Sequence, residues 1–227
     1  MEIIGKGRTA TVYDYKEGKL VKLFEPFIPK SAIERECNNA LVINSLGVNS
    51  PKCFGLVHID GKDGICYQYL EGITLLQHLE AINDFSFFLE SFVEIQQKIN
   101  ASTCNNLNSY KEFLKMHVTS KNLLKRIDDL PDSDHVCHGD YHPGNLIVNG
   151  EQEVFVIDFM NVCKGPKEYD IARTYFLTVL EKVPNPELQK AQEALGEAYL
   201  NASGVTLEQI QPYLDVIKST REIELKN

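Results

Sequence analysis

The sequence lacks three features that would place it outside the ordinary globular proteins. No stretch approaches the roughly 20 apolar residues that span a bilayer, so we expect no membrane partner. The six cysteines are scattered and never form C-x-x-C, which argues against a zinc knuckle or a compact disulfide framework. The first residues also lack the basic and apolar regions of a secretory signal. Together these absences predict a cytoplasmic protein with reduced thiols.

Basic residues are in the minority. There are 23 Lys and Arg against 32 Asp and Glu, a net charge of −9, which argues against nucleic acid as a partner because such binding depends on neutralising phosphates. The acidity would suit a cationic ligand, but it is also common for solubility alone. With 43% hydrophobic and 24% charged residues in 227, the chain can bury one sizeable core, and we expect two lobes around a cleft.

The first part of the chain, residues 1–71, reads as strands with one helix inserted. Alternating β-branched and aromatic residues separated by turn signals predict the strands. Ser31 is expected to begin the helix, with Glu34 completing a capping box. We expect this region to form an N-terminal lobe.

The remainder, residues 72–227, reads differently, and its segments 75–82, 85–99 and 110–127 are predicted to be mainly helical. Short strands are predicted near residues 136–137, 146–148 and 154–157. We expect this region to form a C-terminal lobe. The predicted fold class is therefore α+β and bilobal, with a small β-rich N-lobe carrying one helix and a larger, mainly helical C-lobe.

The most informative residues are polar ones beside these short strands. Asp140 and Asn145 fall within the segment 138–145, which has the H-x-D-x-x-x-x-N frame of a kinase catalytic loop, and Asp158 follows an apolar strand. In phosphoryl transfer one Asp accepts or orients the proton of the attacking hydroxyl, while an Asn and a second Asp bind Mg²⁺. The alternative, a simple turn at Pro143 and Gly144, leaves Asp158 unexplained.

The N-terminal residues agree with this interpretation. Gly5 and Gly7 approximate a glycine-rich nucleotide loop, in which small residues let backbone N–H groups approach phosphates. Lys22, on the following strand, would pair with the α- and β-phosphates of ATP. Glu36 is favoured over Glu34 as the residue that orients this lysine, because the capping box already explains Glu34.

Three histidines near the catalytic loop, His135, His138 and His142, leave a zinc-dependent hydrolase as an alternative. The sequence contains no H-E-x-x-H arrangement, and zinc would leave the lysine, glutamate and asparagine pattern unexplained. We expect His138 to brace the loop backbone, whereas the role of His142 is open. Asp170 is expected to support the catalytic loop and not to react.

Taken together, these motifs resemble the aminoglycoside phosphotransferase family, whose relatives include choline and ethanolamine kinases. The family pattern H-G-D-x-x-x-x-N is matched at 138–145, the Ile-Asp-Phe setting at 157–159 and the Tyr-Asp-Ile-Ala signature at 169–172. The resemblance implies a protein-kinase-like fold, ATP with Mg²⁺ held by Asn145 and Asp158, and adenine bound by the backbone of Gln68 and Leu70.

We therefore predict an ATP-dependent phosphotransferase that moves the γ-phosphate to a hydroxyl of a small molecule. Residues 1–71 would form its nucleotide-binding N-terminal lobe, and residues 72–227 its catalytic and acceptor-binding C-terminal lobe. The acceptor would be an aminoglycoside-like antibiotic, an amino alcohol or a sugar-type metabolite. The alternatives are a catalytically silent, kinase-like nucleotide-binding module and a protein kinase. Gly139 and His142 disfavour the last, since Ser/Thr kinases usually carry Arg and Lys at these positions. The sequence indicates neither the acceptor nor the oligomeric state.

Overall fold

The fold was analysed in a computed structural model, which describes residues 1–180 and 186–224. The strands are β1 (Ile3–Lys6), β2 (Ala10–Asp14), β3 (Lys19–Phe24), β4 (Cys53–Ile59), β5 (Lys62–Gln68), β6 (Gly72–Thr74), β7 (Val136–Cys137), β8 (Leu146–Asn149), β9 (Val154–Val156) and β10 (Cys163–Lys164). The helices are α1 (Lys30–Ser45), α2 (Leu75–Ile82), α3 (Phe85–Ala101), α4 (Tyr110–Lys115), α5 (Lys121–Asp128), α6 (Lys167–Tyr175), α7 (Pro186–Ser203) and α8 (Leu207–Glu224). A 3₁₀ turn covers Pro143–Asn145, and a π-helical turn, Phe176–Leu180, continues α6.

The chain divides into two compact units. The first contains residues 1–81 and 144–160, and the second contains residues 82–143 and 161–227. The first unit thus includes β8 and β9 because β6 pairs with β8, and β8 pairs with β9. The lobe boundary between residues 71 and 72 stays a prediction.

A five-stranded antiparallel sheet in the order β1-β2-β3-β5-β4 forms most of the first unit. Val21 and Leu23 of β3 are buried together with Cys66 of β5. Because side chains alternate across a strand, Lys22 points to the opposite face of the sheet from these two neighbours. The alternation along β3 therefore places the lysine side chain on the face of the sheet opposite to this apolar cluster.

The smaller sheet of the first unit, β6-β8-β9, positions the polar residues that follow the catalytic loop. Leu146 of β8 pairs with Val156 of β9 in antiparallel register. The start of β8 and the end of β9 therefore lie at the same edge of the sheet. Asn145, which precedes β8, and Asp158, which follows β9, are brought to this edge by strand pairing alone.

The second unit is built around α3, which Asp84 caps by accepting a hydrogen bond from Phe87 N. Its apolar face includes Phe88 and Phe92, whose rings stack 5.7 Å apart between centroids, and Phe92 also stacks on Tyr141. The tyrosine hydroxyl donates to Phe92 O at 2.7 Å. The residue after Asp140 is thereby fixed to the core of its own unit.

One prediction about the helices is wrong. Helix α1 begins at Lys30, and its N-cap, Pro29, makes no side-chain cap, so the capping box of Ser31 and Glu34 does not form. The backbone carbonyl of Pro29 instead accepts from Ala32 N and Ile33 N. Residues 110–127, predicted to be mainly helical, form two helices, α4 and α5, because His117 adopts a left-handed φ of 69° and Ser120 caps a new start.

The predicted α+β class is confirmed. The first unit is rich in β-strands and carries the long helix α1, and the second is mainly helical. Within residues 1–180 and 186–224, no helix has the length and apolar character required to cross a membrane.

Candidate active site

A pocket in the first unit collects most of the residues singled out in the sequence. Its lining residues are Gly7, Thr9, Ala10, Val12, Leu20, Lys22, Glu36, Pro51, Tyr67, Asn145, Ile157, Asp158 and Phe159. The lining combines apolar and aromatic side chains with two carboxylates, an ammonium group and a carboxamide. An apolar lining with a few polar groups is typical of a small-molecule site.

Lys22 is the centre of the charged part. Its Nζ donates to Glu36 Oε1 at 2.8 Å and to Asp158 Oδ1 at 2.9 Å. The structure thus places Glu36 against the lysine, whereas Glu34 is exposed. Helix α1 contributes the glutamate, β3 the lysine and the segment after β9 the aspartate, so three separate elements meet at one cation.

Burial and charge act in opposite directions on this group. Burial lowers the pKa of the Lys22 ammonium, but attraction by Asp158 and Glu36 outweighs it and leaves the pKa above its ordinary value. Burial raises the pKa of the Glu36 carboxyl, and the attraction of Lys22 only partly offsets this effect. Lys22 therefore stays protonated and paired with both carboxylates.

Two aromatic residues also line the pocket, Phe159, which belongs to the Ile-Asp-Phe motif, and Tyr67, which the sequence analysis did not identify. Tyr67 is buried, its hydroxyl donates to Glu36 Oε1 at 3.4 Å, and its ring lies 6.3 Å from that of Phe159 between centroids. Burial also raises the pKa of the Tyr67 phenol, which stays protonated as a donor. The sequence indicates these two residues through their positions. Tyr67 lies at the end of the buried part of β5, and Phe159 directly follows Asp158.

The backbone around Asp158 is unusual. Asp158 has φ 67°, in the left-handed region that costs a non-glycine residue about 1 to 3 kcal/mol. Ile157 N, just before it, donates to Asn145 O at 2.9 Å. The two predicted metal ligands are thus tied together through the backbone. Carboxylate and carboxamide oxygens are the donors that Mg²⁺ prefers, and it usually takes few protein ligands beside phosphates, so this pair fits the ion.

Three residues expected to contact the nucleotide are not among those that line the pocket in the described part of the chain, namely Gly5, Gln68 and Leu70. Gly5 lies in β1 and pairs with Val12. Gln68 N donates to Lys52 O at 2.8 Å, and Gln68 Oε1 accepts from Lys52 N at 3.3 Å. The contacts of Gln68 and Leu70 with adenine stay a prediction.

The predicted catalytic residue, Asp140, belongs to the second unit, where it is half-buried in the loop after β7. Gly139, just before it, has φ 75°, and a Cβ there would lie 2.3 Å from Asn161 O. The position therefore requires glycine. Gly139 N donates to Asp170 Oδ1 at 2.8 Å, and Arg173 Nε donates to Gly139 O. Both backbone polar groups of this residue are thus held by α6.

His138 and Asp170 take the supporting positions that the sequence suggested. His138 is fully buried, and its Nδ1 accepts from Asp140 N at 3.4 Å. Asp170 is also fully buried, and its second oxygen accepts from Gln96 Nε2 at 3.1 Å and Asn100 Nδ2 at 2.9 Å. A buried carboxylate is stable only when it is hydrogen-bonded in this way.

Gln96 and Asn100 were missed in the sequence. They lie one turn apart on the buried face of α3, and Gln96 also accepts a hydrogen bond from Tyr199. The signal that could have found them is their position, because each is a polar residue on an otherwise apolar helical stripe. Among the described residues, His, Cys, Asp and Glu form no group of three or more that could hold a metal ion, so His135, His138 and His142 do not make a zinc site there.

Comparison with solved structures defines the class of fold. A thermostable mutant of aminoglycoside phosphotransferase APH(4)-Ia, in ternary complex with ADP and hygromycin B, matches with TM-score 0.68 and 12% identity over 100% of this chain and 87% of that one. APH(3'')-Id from Streptomyces rimosus, in complex with ADP and streptomycin, matches with TM-score 0.63 and 15% identity over 92% of this chain and 90% of that one. Aminoglycoside-3'-phosphotransferase of type VIII matches with TM-score 0.63 and 17% identity over 95% of this chain and 91% of that one. The fold is therefore the protein-kinase-like fold of these enzymes.

The sequence itself gives the family. Residues 96–213, just over half of the chain, match the model of the phosphotransferase enzyme family, and the chain belongs to that family. A comparison with curated proteins finds no match. The resemblance inferred from the motifs is thus confirmed, and the protein is a phosphotransferase of the kinase type.

Proposed function

We propose that the protein is an ATP-dependent phosphotransferase that moves the γ-phosphate to a hydroxyl of a small molecule. The observation that carries this proposal is the pocket of the first unit, where Lys22 contacts Glu36 and Asp158 beside a glycine-containing loop and an aromatic wall. The related enzymes that bind ADP together with an antibiotic support the same conclusion.

Each residue would have a distinct role. Lys22 would bind the α- and β-phosphates, and Glu36 would hold the ammonium group in place. Gly7 would let the loop backbone approach the phosphates, and the backbone of Gln68 and Leu70 would bind adenine. Asp140 would orient the acceptor hydroxyl and accept its proton.

Asn145 and Asp158 would hold Mg²⁺, because they offer an amide oxygen and a carboxylate in one pocket. When bound, the ion neutralises charge on the phosphates and orients them for transfer. We further propose an aminoglycoside-like antibiotic, an amino alcohol or a sugar-type metabolite as the acceptor. A cationic acceptor would suit the net charge of −9. The cytoplasmic location stays a prediction.

The test is a screen for ADP release with Mg²⁺ and ATP across aminoglycosides, macrolides, amino alcohols, homoserine and sugars, with products identified by phosphorus NMR. We expect a phosphate ester with at least one acceptor. Asp140→Ala and Asp158→Ala should each lower turnover by at least about 100-fold. Asp63→Ala, which removes an exposed carboxylate of β5, serves as the control and should keep turnover.

Three outcomes would contradict the proposal. Near-normal turnover by Asp158→Ala would reject the metal assignment. Tight ATP binding without ADP release for every acceptor would favour the silent nucleotide-binding module. Phosphorylation of a peptide in place of the small molecules would favour a protein kinase.

A further inference from the structure

Helix α1 makes a second contact with the pocket that no motif predicts. Asn39 lies three residues after Glu36, so both side chains project from the same face of the helix. Asn39 is only 4% exposed, and its Nδ2 donates to Phe159 O at 2.9 Å. The acceptor is the backbone carbonyl of the residue directly after Asp158, one of the two proposed metal ligands.

This carbonyl belongs to a segment whose conformation needs outside support. Asp158 has a left-handed φ of 67°, which an aspartate keeps only when its neighbours fix it. On the preceding side, Ile157 N donates to Asn145 O. On the following side, the carboxamide of Asn39 holds Phe159, whose side chain is itself 1% exposed. The strained residue thus lies between two hydrogen-bonded neighbours.

The same helix also fixes the side chain of Asp158. Glu36 holds Lys22, and the lysine ammonium in turn contacts Asp158 Oδ1. Two residues of α1 therefore act on one carboxylate, Glu36 through the lysine and Asn39 through the backbone. A small displacement of this carboxylate would change its distance to a bound ion, and ion affinity depends steeply on that distance.

We infer that Asn39 is a positioning residue for the metal site: its hydrogen bond to Phe159 O sets the backbone from which Asp158 binds the ion. The inference rests on the proposed function, since it concerns the metal that the function requires. Asn39 touches neither the ion nor the nucleotide in this account, and it acts through the backbone of the 157–159 segment.

The test compares two asparagines of α1. Asn39→Leu removes the hydrogen bond to Phe159 O and keeps the branched shape of the side chain. Asn44→Leu removes the contacts of Asn44 with Ser50, Pro51 O and Cys53 N, which lie on a different part of the chain. Both changes remove buried or half-buried amide hydrogen bonds from one helix, but only the first acts on the segment that carries Asp158.

The measurement is the dissociation constant of Mn²⁺, titrated by electron paramagnetic resonance in the presence of a non-hydrolysable ATP analogue. We expect Asn39→Leu to weaken Mn²⁺ binding by about 10- to 100-fold. Its affinity for the analogue in the presence of EDTA should stay within about twofold of the original, because Lys22 and Glu36 are unchanged. Asn44→Leu should leave the Mn²⁺ constant within the same twofold range.

The outcomes separate this inference from the proposed function. If the original protein binds Mn²⁺ with the analogue, Asp158→Ala abolishes that binding and Asn39→Leu binds it as well as the original, the inference is wrong and the function stands. If the original protein binds no Mn²⁺, both are wrong. Should Asn39→Leu not fold, Asn39→Ala, which also lacks the donor, provides the same comparison.

Discussion

The side chain of Lys22 contacts that of Asp158, with 2.9 Å between Nζ and Oδ1, although 136 residues separate them in the chain. The contact joins a residue of the N-terminal strands to one that follows the catalytic loop. It also means that a phosphate bound by Lys22 and a metal bound by Asp158 would each compete with an existing ion pair. The same ion pair also holds the side chains of Lys22 and Asp158 in place before a ligand binds. Less side-chain entropy is then lost on binding.

Removing the lysine tests the balance of charge in the pocket. Lys22→Met leaves Glu36, which is 1% exposed, without its cation, and we expect the free energy of unfolding to fall by about 3 to 5 kcal/mol at neutral pH. The matched control is Lys62→Met, because Lys62 forms a more exposed pair with Glu25 on the same sheet. That change should cost less than about 1 kcal/mol. Urea unfolding measures both.

The same variant should show a distinct dependence on pH. Burial holds the pKa of Glu36 above its ordinary value, so the folded chain takes up this proton more readily than the unfolded chain. That contribution to stability is present below the ordinary carboxyl pKa and is lost as the pH rises through the raised one. The defect of Lys22→Met should therefore shrink under mildly acidic conditions. A constant or growing defect would contradict the assignment of an unpaired buried carboxylate.

The two glycines of the N-terminal loop allow function to be separated from folding. An added Cβ would lie 3.5 Å from Ala10 O at Gly7 and 3.6 Å from Val12 Cβ at Gly5, which are ordinary contact distances. Both alanine variants should therefore fold. Of the two glycines, only Gly7 lines the pocket. Gly7→Ala should therefore weaken ATP binding, whereas Gly5→Ala should leave it unchanged. Calorimetry measures both affinities. Equal affinities in the two variants would argue that the loop backbone does not approach the phosphates.

Neighbouring glutamines on α3 provide a matched test of the support for the catalytic loop. Gln96 is buried and donates to Asp170 and Thr174, whereas Gln97 is exposed and donates to Ala202 O. We expect Gln96→Leu to lower the free energy of unfolding by about 1 to 3 kcal/mol, because Asp170 loses a donor. Gln97→Leu should change it by less than about 0.5 kcal/mol.

Steady-state kinetics show whether Gln96 positions the catalytic loop or only stabilises the second unit. Under conditions where both glutamine variants are folded, Gln96→Leu should lower kcat and leave the KM for ATP nearly unchanged, because the residues proposed to bind ATP lie on other elements. Unchanged kcat in folded Gln96→Leu would mean that the buried network stabilises the second unit without positioning Asp140.

Gly139 tests the backbone of the catalytic loop directly. Gly139→Ala would combine an unfavourable φ of 75° with a Cβ placed 2.3 Å from Asn161 O, so we expect the free energy of unfolding to fall by more than about 1 kcal/mol. At Gly150 nothing lies within 4 Å of an added Cβ. Gly150→Ala should therefore leave the stability unchanged or raise it by up to about 1 kcal/mol. Thermal and urea unfolding measure both changes, and similar effects at the two positions would contradict the requirement for glycine at 139.

The sequence predicted the parts of the site that short motifs carry. Lys22, Asn145 and Asp158 each follow from a local pattern of strand and loop, and they meet in one pocket because β-strand pairing brings their elements together. Glycine and metal-ligand patterns are local in the chain, so a single sequence reveals them.

Other residues of the site could not be predicted because their roles depend on tertiary contacts. Asn39 looks like any polar residue of a surface helix until the carbonyl of Phe159, 120 residues further on, is placed against it. Tyr67 looks like an ordinary strand aromatic. The capping-box error has a different origin, since Pro29 begins α1 through a backbone conformation that hydrophobic periodicity does not register.

The most direct test of the central claim is a crystal structure of the protein with Mg²⁺ and AMP-PNP. We predict that the phosphates contact Lys22 and that the ion is bound by Asn145 and Asp158, with Glu36 still paired to the lysine. A structure in which the nucleotide binds elsewhere, or in which Asp158 has no metal and Lys22 contacts no phosphate, would contradict the account.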